Sequence, residues 1–170
     1  MASDDAEGDV TPAEPLTGGC MCGSVRWELS EPPIGAGICH CTRCVRRTGT
    51  ASSYSALALK ANLEVVSGED SLGFYAPDEG WHKYFCGECG SAVFTLNPDQ
   101  PELVGMRMGG FDGDPGVRPR FHQFTNYAPV WAPVPDDGLI RFPERVDYVQ
   151  LAEQIQREGG EVPTDRLPGS

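Results

Sequence analysis

Cys39, Cys41 and Cys44 crowd three thiols into six positions, and His40 sits between the first two. Thiolates bind zinc tetrahedrally. Four protein sulfurs close a structural site, whereas three leave a coordination position open for water or a substrate. The other cysteines form two pairs, Cys20-Met21-Cys22 and Cys86-Gly87-Glu88-Cys89, so seven cysteines divide into four and three. That division implies two zinc ions per chain. One would hold the fold through Cys20, Cys22, Cys86 and Cys89. The other, at Cys39, Cys41 and Cys44, would do chemistry and, with fewer ligands, would be the more easily lost.

Cys86-x-x-Cys89-Gly90 has the spacing of a zinc knuckle, in which a glycine after the second ligand takes positive φ and lets backbone N–H groups face the sulfur. Cys20-x-Cys22-Gly23 is a shorter turn of the same kind. Pairing the two closes a loop of more than sixty residues, so that metal binding becomes folding free energy. Inert buried cysteines would not cluster three times at ligand spacing. A dithiol redox site at Cys41-x-x-Cys44 would need a strand followed by a helix, and the local pattern suggests neither.

Around these clusters the chain reads as strands. Ser24–Leu29 alternates apolar with polar, the period of a half-buried strand. Tyr54–Leu59, Leu63–Val66, Leu72–Tyr75, Trp81–Phe85, Ser91–Thr95, Leu103–Met108 and Phe121–Phe124 follow as further short candidates. With 21 glycines and 15 prolines to supply turns, the expectation is an antiparallel all-β domain. The strands flanking Cys86 and Cys89 would form a hairpin with the knuckle at its tip. A short helix is expected over residues 147–155. Residues 1–15, acidic and proline-punctuated, and residues 157–170 are expected to be disordered tails on one domain spanning 16–156.

The formal net charge of -12 disfavours phosphate backbones and anionic membranes. No run approaches the ~18 apolar residues of a membrane span. The N-terminus has no apolar run of the signal-peptide kind. A cytoplasmic location follows, where clustered cysteines serve as metal ligands or redox groups rather than disulfides.

Three motifs together resemble a known family: Gly18-Gly19-Cys20-x-Cys22-Gly23-x-Val25, then Cys39-His40-Cys41-x-x-Cys44-x-Arg46-x-Thr48-Gly49, then Phe85-Cys86-x-x-Cys89-Gly90-Ser91. They resemble the glutathione-dependent formaldehyde-activating enzymes, the group that includes centromere protein V-like chains. Phe121-His122, Ala128-Pro129-Val130-Trp131 and Asp137-Gly138-Leu139 extend the likeness over residues 17–143. The resemblance implies several small coiled β-sheets, a structural zinc on Cys20, Cys22, Cys86 and Cys89, and a second zinc on Cys39, Cys41 and Cys44 beside the active site. It also implies the joining of glutathione to formaldehyde, formally a carbon–sulfur lyase reaction run backwards.

A free thiol with pKa near 8.5 is mostly protonated at neutral pH, and zinc favours the nucleophilic thiolate. The catalytic residues on this reading are Cys39, Cys41 and Cys44, acting through the metal, with glutathione or a similar thiol and a small aldehyde as partners. Glutathione carries two carboxylates, and guanidinium forks suit carboxylates. Arg43, Arg46 and Arg47 beside the open cluster are therefore candidates for substrate binding; solvated surface charge or neutralisation of the metal–thiolate group is an equal alternative. His40 could shuttle a proton, ligate the metal or bond backbone at the turn, and a supporting role is favoured. His82 reads as a surface strand residue and His122 as core or surface, possible site wall aside. Tyr127 and Trp131 could wall a pocket, although aromatics usually serve packing. Gly109-Gly110 and the loop bearing Asp112, Asp114 and Pro115 match neither a phosphate nor a calcium loop. The competing reading is a non-enzymatic zinc module that binds a partner protein; an incomplete ligand set argues against it. Monomer and homodimer are both open.

Overall fold

The computed structural model describes residues 14–160. The expected tails at 1–15 and 157–170 fall mostly outside that range. In chain order the elements are β1 (Leu16–Gly19), β2 (Arg26–Leu29), β3 (Gly35–Cys39), α1 (Thr42–Thr48), β4 (Ser53–Leu59), β5 (Leu63–Ser67), β6 (Leu72–Tyr75), β7 (His82–Cys86), β8 (Ala92–Asn97), β9 (Gln100–Arg107), β10 (Pro119–Gln123), β11 (Ile140–Arg141) and α2 (Tyr148–Arg157). The mostly β fold is as expected. No helix among the described residues is long and apolar enough to cross a membrane.

The strands form two sheets, one ordered β1-β2-β5 and one of eight strands ordered β11-β10-β3-β4-β9-β8-β7-β6. One detail departs from the antiparallel expectation: β10 pairs parallel with both β3 and β11. The long connection from β9 returns the chain to the far side of β3, and a long crossover permits parallel pairing. A second departure bears on the chemistry. β3 runs into α1 through His40 and Cys41, so the strand-then-helix setting judged missing from the sequence is present.

Register divides the large sheet into two unlike faces. On one, Ala36 pairs with Ala56, Ala56 with Met106, and Met106 with Phe94. These residues pack with Trp27, Leu29, Val25 and Cys86 into the main buried cluster, between the two sheets. The other face carries Gly37, Ser55 and Arg107 in one cross-strand row and Gly35, Leu57, Gly105 and Thr95 in the next. Side chains alternate across a strand. The first face is therefore core, and the second, built on glycine and serine, is a shallow floor.

The glycine-rich strands β1 and β3 escape the alternation test because their glycines offer no side chain to alternate. Close packing is why Gly18 and Gly37 are glycines. A Cβ on Gly18 would lie 2.2 Å from the Trp27 ring, and one on Gly37 2.3 Å from the Phe121 ring. At the other end of the floor, α2 is capped by Asp147, whose carboxylate accepts from the Val149 and Gln150 amides at 2.9 and 3.1 Å. Its Leu151 and Ile155 join Phe121, Phe142 and Val146 in a second apolar cluster.

Candidate active site

The Cys86–Cys89 turn is closed by Gly90 N–H donating to the Cys86 carbonyl at 2.8 Å, with Gly90 at φ +74°. Gly23, at φ +80°, closes the Cys20–Cys22 turn in the same way at 3.2 Å. The Val25 amide donates to the Cys20 sulfur at 3.2 Å, and the Met21 amide donates to Ser91 Oγ at 3.1 Å, tying one knuckle to the other. All four sulfurs lie within 4.8 Å of one another, close enough to hold a metal ion. Cys20 and Cys22 are 3.5 Å apart, and Cys22 and Cys86 3.7 Å. Zinc–sulfur bonds of about 2.3 Å in a tetrahedron place sulfurs about 3.8 Å apart, far from the ~2 Å of a disulfide. The donor set therefore fits one tetrahedral ion, and no sulfur of this group lines either of the two cavities described below.

Cys39, at the end of β3, and Cys41 and Cys44, at the start of α1, also lie within 4.8 Å of one another. His40 is not in this group. Cys41 caps α1, and its sulfur accepts from the Cys44 amide at 3.4 Å. Without a cation the three sulfurs cannot all ionise. Contact with Cys41 and Cys44, then burial, holds the Cys39 thiol far above its ordinary range. Cys39 and Cys44, helped by backbone N–H groups of Cys44 and Arg43, draw Cys41 far down. Three packed sulfurs that oppose one another's ionisation suit a thiophilic cation, which would let all three ionise.

One cavity opens on this cluster, and a second adjoins it through shared cations. The larger, ≈ 590 Å³, is lined by all three cysteines together with Arg43, Trp81, Lys83 and Arg107, and continues along the glycine floor to α2. The smaller, ≈ 430 Å³, shares Arg43 and Lys83 and adds Arg47, Tyr75 and Asp78. Arg107 donates to Ser55 Oγ at 2.7 Å and to Ser53 Oγ, while its Nε is buried without a partner. Arg47 donates to the Tyr84 carbonyl at 2.9 Å and leaves Nη1 buried without a partner. Burial, and then the charges of Arg47 and Arg107 against the pull of Cys44, bring Lys83 down to about 8. Burial and Arg107 bring Arg47 down to about 10. None of the ion pairs among the described residues involves Arg43, Arg47, Lys83 or Arg107. In a chain of net charge -12, four cations without a carboxylate partner converge on three sulfurs.

Of the three arginines marked from sequence, Arg43 and Arg47 face the cavities, with Arg43 also donating to the Glu79 carbonyl at 2.9 Å. Arg46 is exposed and lines neither. Lys83 and Arg107 carried no functional mark in the sequence. The available signal was a cation placed on the glycine-bearing side of an otherwise apolar strand, as in Gly105-Met106-Arg107.

His40 points to the opposite side of the strand end from the sulfurs. Its Nε2 is 2.8 Å from His122 Nδ1, and His122 Nε2 is 3.0 Å from Asp137. Both rings are buried, at 3% and 1% exposure, and burial followed by the neighbouring His122 holds His40 below the ordinary histidine range. His122 is thus core, hydrogen-bonded behind the cysteine loop. His82 is half-buried beside Phe74. Tyr127 lines the larger cavity, as does Phe124, which lies at φ +57° with its N–H donating a hydrogen bond to the Glu144 carbonyl at 2.7 Å. Trp131 is 68% exposed and lines neither cavity.

Comparison with known proteins bears on these residues directly. Residues 15–127 match the family model described as glutathione-dependent formaldehyde-activating enzyme, a span that holds all seven cysteines. A Halomonas elongata protein named "Putative glutathione-dependent formaldehyde-activating enzyme" is 29% identical over 126 residues, covering 70% of this chain and 80% of that one. A crystal structure of a Rhodobacter sphaeroides protein superposes with a TM-score of 0.51 at 27% identity, covering 74% of this chain and 98% of that chain.

Proposed function

The chain belongs to the glutathione-dependent formaldehyde-activating enzyme family, and from that premise we propose that it is a zinc-dependent carbon–sulfur lyase that makes or breaks the adduct of glutathione, or a similar thiol, with formaldehyde or another small aldehyde. Cys20, Cys22, Cys86 and Cys89 hold the structural ion, and Cys39, Cys41 and Cys44 hold the catalytic one. The observation that carries this reading is the three-sulfur cluster opening onto a cavity of ≈ 590 Å³ among cations that lack carboxylate partners.

Zinc, when bound, favours the thiolate form of a thiol that enters the open position and offsets negative charge around it. The chain's own residues do the rest. In the forward direction the substrate's thiolate sulfur attacks the carbonyl carbon. A carbon–sulfur bond forms, the carbonyl π pair moves to oxygen, and that oxygen takes a proton from water. The reverse step returns the proton and expels the thiolate. Arg43, Arg47 and Lys83 receive the thiol's carboxylates, fixing the sulfur's approach. Arg107, clamped by Ser53 and Ser55, keeps positive potential behind the sulfurs. The His40–His122–Asp137 chain holds the Cys39–Cys41 backbone in place. The cations at the sulfur end of the cavity and the net charge of -12 favour a small anionic thiol over nucleic acid.

The test is a screen of thiol and aldehyde pairs by adduct formation on zinc-loaded protein. Turnover by the native chain, with loss in Cys41→Ser at preserved secondary structure, supports the reading; unchanged turnover in Cys41→Ser overturns it. A thiol–disulfide role for Cys41 and Cys44 gains support from Cys41 capping α1 with a depressed thiol pKa. Cys39, packed against the same two sulfurs, favours the metal.

A further inference from the structure

Formaldehyde adds one carbon to a thiol, yet the larger cavity extends well past the sulfurs. Gly35 and Cys39 are the two ends of β3. At about 3.3 Å per residue they are about 13 Å apart. The far end is lined by Ile34, Gly35, Leu57, Phe121, Leu151 and Ile155. Ile34 and Leu57 belong to neither buried cluster, and both are half-buried with apolar side chains turned to the cavity. A Cβ on Gly35 would meet nothing within 4 Å, so the floor there is open space rather than a packing contact. The two cavities, which share Arg43 and Lys83, also differ in chemistry. The smaller is walled by Arg43, Arg47 and Lys83, suited to the anionic thiol. The far arm has its cations, Arg120 and Arg145, only as exposed residues at the rim.

We infer that the far arm binds an apolar substituent on the carbonyl carbon, so that the substrate class is the thiol adduct of an aliphatic or aromatic aldehyde larger than formaldehyde. This rests on the thiol-adduct reading above and adds to it the identity of the second component. Reaction balance is unchanged: the same carbon–sulfur bond forms or breaks, and the substituent takes no part. Its burial supplies binding free energy, about fourfold in affinity per methylene removed from water. Fixing that group at the far end also sets where the carbonyl carbon meets the sulfur.

Stable thioethers test the inference without requiring turnover. Binding of S-methylglutathione and S-hexylglutathione to zinc-loaded protein is measured by titration calorimetry, with glutathione as reference. The expected result is S-hexylglutathione binding at least tenfold tighter than S-methylglutathione. Gly35→Leu, which has room for its Cβ, should remove that advantage while changing S-methylglutathione affinity less than twofold. Leu57→Trp, on the neighbouring strand, should do the same by filling the arm. Equal affinity of the two thioethers for the native protein overturns the inference alone, leaving the thiol-adduct reading in place. So does a Gly35→Leu variant that weakens both thioethers and glutathione alike, because the arm would then hold the thiol's own backbone. Failure of glutathione and both thioethers to bind overturns the thiol-adduct reading and the inference with it.

Discussion

The two cysteine clusters are built from the same residue type at similar spacing, and they differ in what surrounds them. The four-sulfur group joins two glycine-closed turns from chain segments 64 residues apart, offers a full set of four sulfurs and lines neither of the two cavities. The three-sulfur group lies within one strand–helix junction, offers three sulfurs rather than four, and faces a cavity among cations without carboxylate partners. Ligand count and location therefore separate function. On the proposed reading, the site that ties distant segments together stabilises, and the local three-sulfur site binds and reacts.

The largest effect should come from exchanging one cysteine in each cluster. Cys86→Ser removes a fully buried ligand that pins β7 to the N-terminal turn, and metal binding there is folding free energy. The variant should lose its cooperative thermal transition, read by circular dichroism. Cys41→Ser should keep that transition, lose one of two zinc equivalents by metal analysis, and lose turnover. Similar behaviour in the two variants would erase the distinction.

Next in size, the cations sharpen the contrast. Arg47→Ala should raise KM for the thiol tenfold or more, about 1.4 kcal/mol or more of binding. Arg46→Ala, exposed and away from both cavities, should change KM less than twofold. Steady-state kinetics on the pair decides whether buried position or nearness in sequence selects the arginines that bind substrate.

On the structural side, Gly18→Ala forces a methyl against the Trp27 ring and the Gly110 carbonyl, at 2.2 and 2.3 Å. Overpacking of this kind costs about 1–3 kcal/mol. Chemical denaturation should show that loss with second-site zinc unchanged.

The smallest effect concerns pH. Arg26, then Thr17, hold the Asp112 carboxyl down to about 2. A depressed carboxyl contributes stability above its unfolded pKa near 4, and that contribution is lost as pH falls toward 2. Because the pair is solvent-accessible, its contribution is small. Asp112→Asn should lower the melting temperature slightly at pH 7 and not at pH 2, with no change in activity.

Both cysteine groupings were legible in the sequence, because thiols that gather in space carry ligand-like spacing along the chain. Strands with apolar alternation were legible too, from β2 through β10. β1 and β3 were not, since Gly18, Gly35 and Gly37 serve close packing and open floor and leave no pattern. α1 was hidden for a related reason: it is seven residues long, has no buried residue, and Cys41 caps it where serine or aspartate would be the usual signal. Arg107 and Lys83 reach the cysteines only through strand register, which couples residues far apart in the chain. Arg46, adjacent in sequence, points away because successive helical residues do not share a face.

The most direct test of the central claim is zinc-edge X-ray absorption on fully loaded protein, before and after glutathione is added. A vacancy at Cys39, Cys41 and Cys44 predicts that the mean number of sulfurs per zinc rises when the thiol enters, and that Cys41→Ser abolishes the rise. An unchanged sulfur count in native protein holding two zinc ions would contradict it.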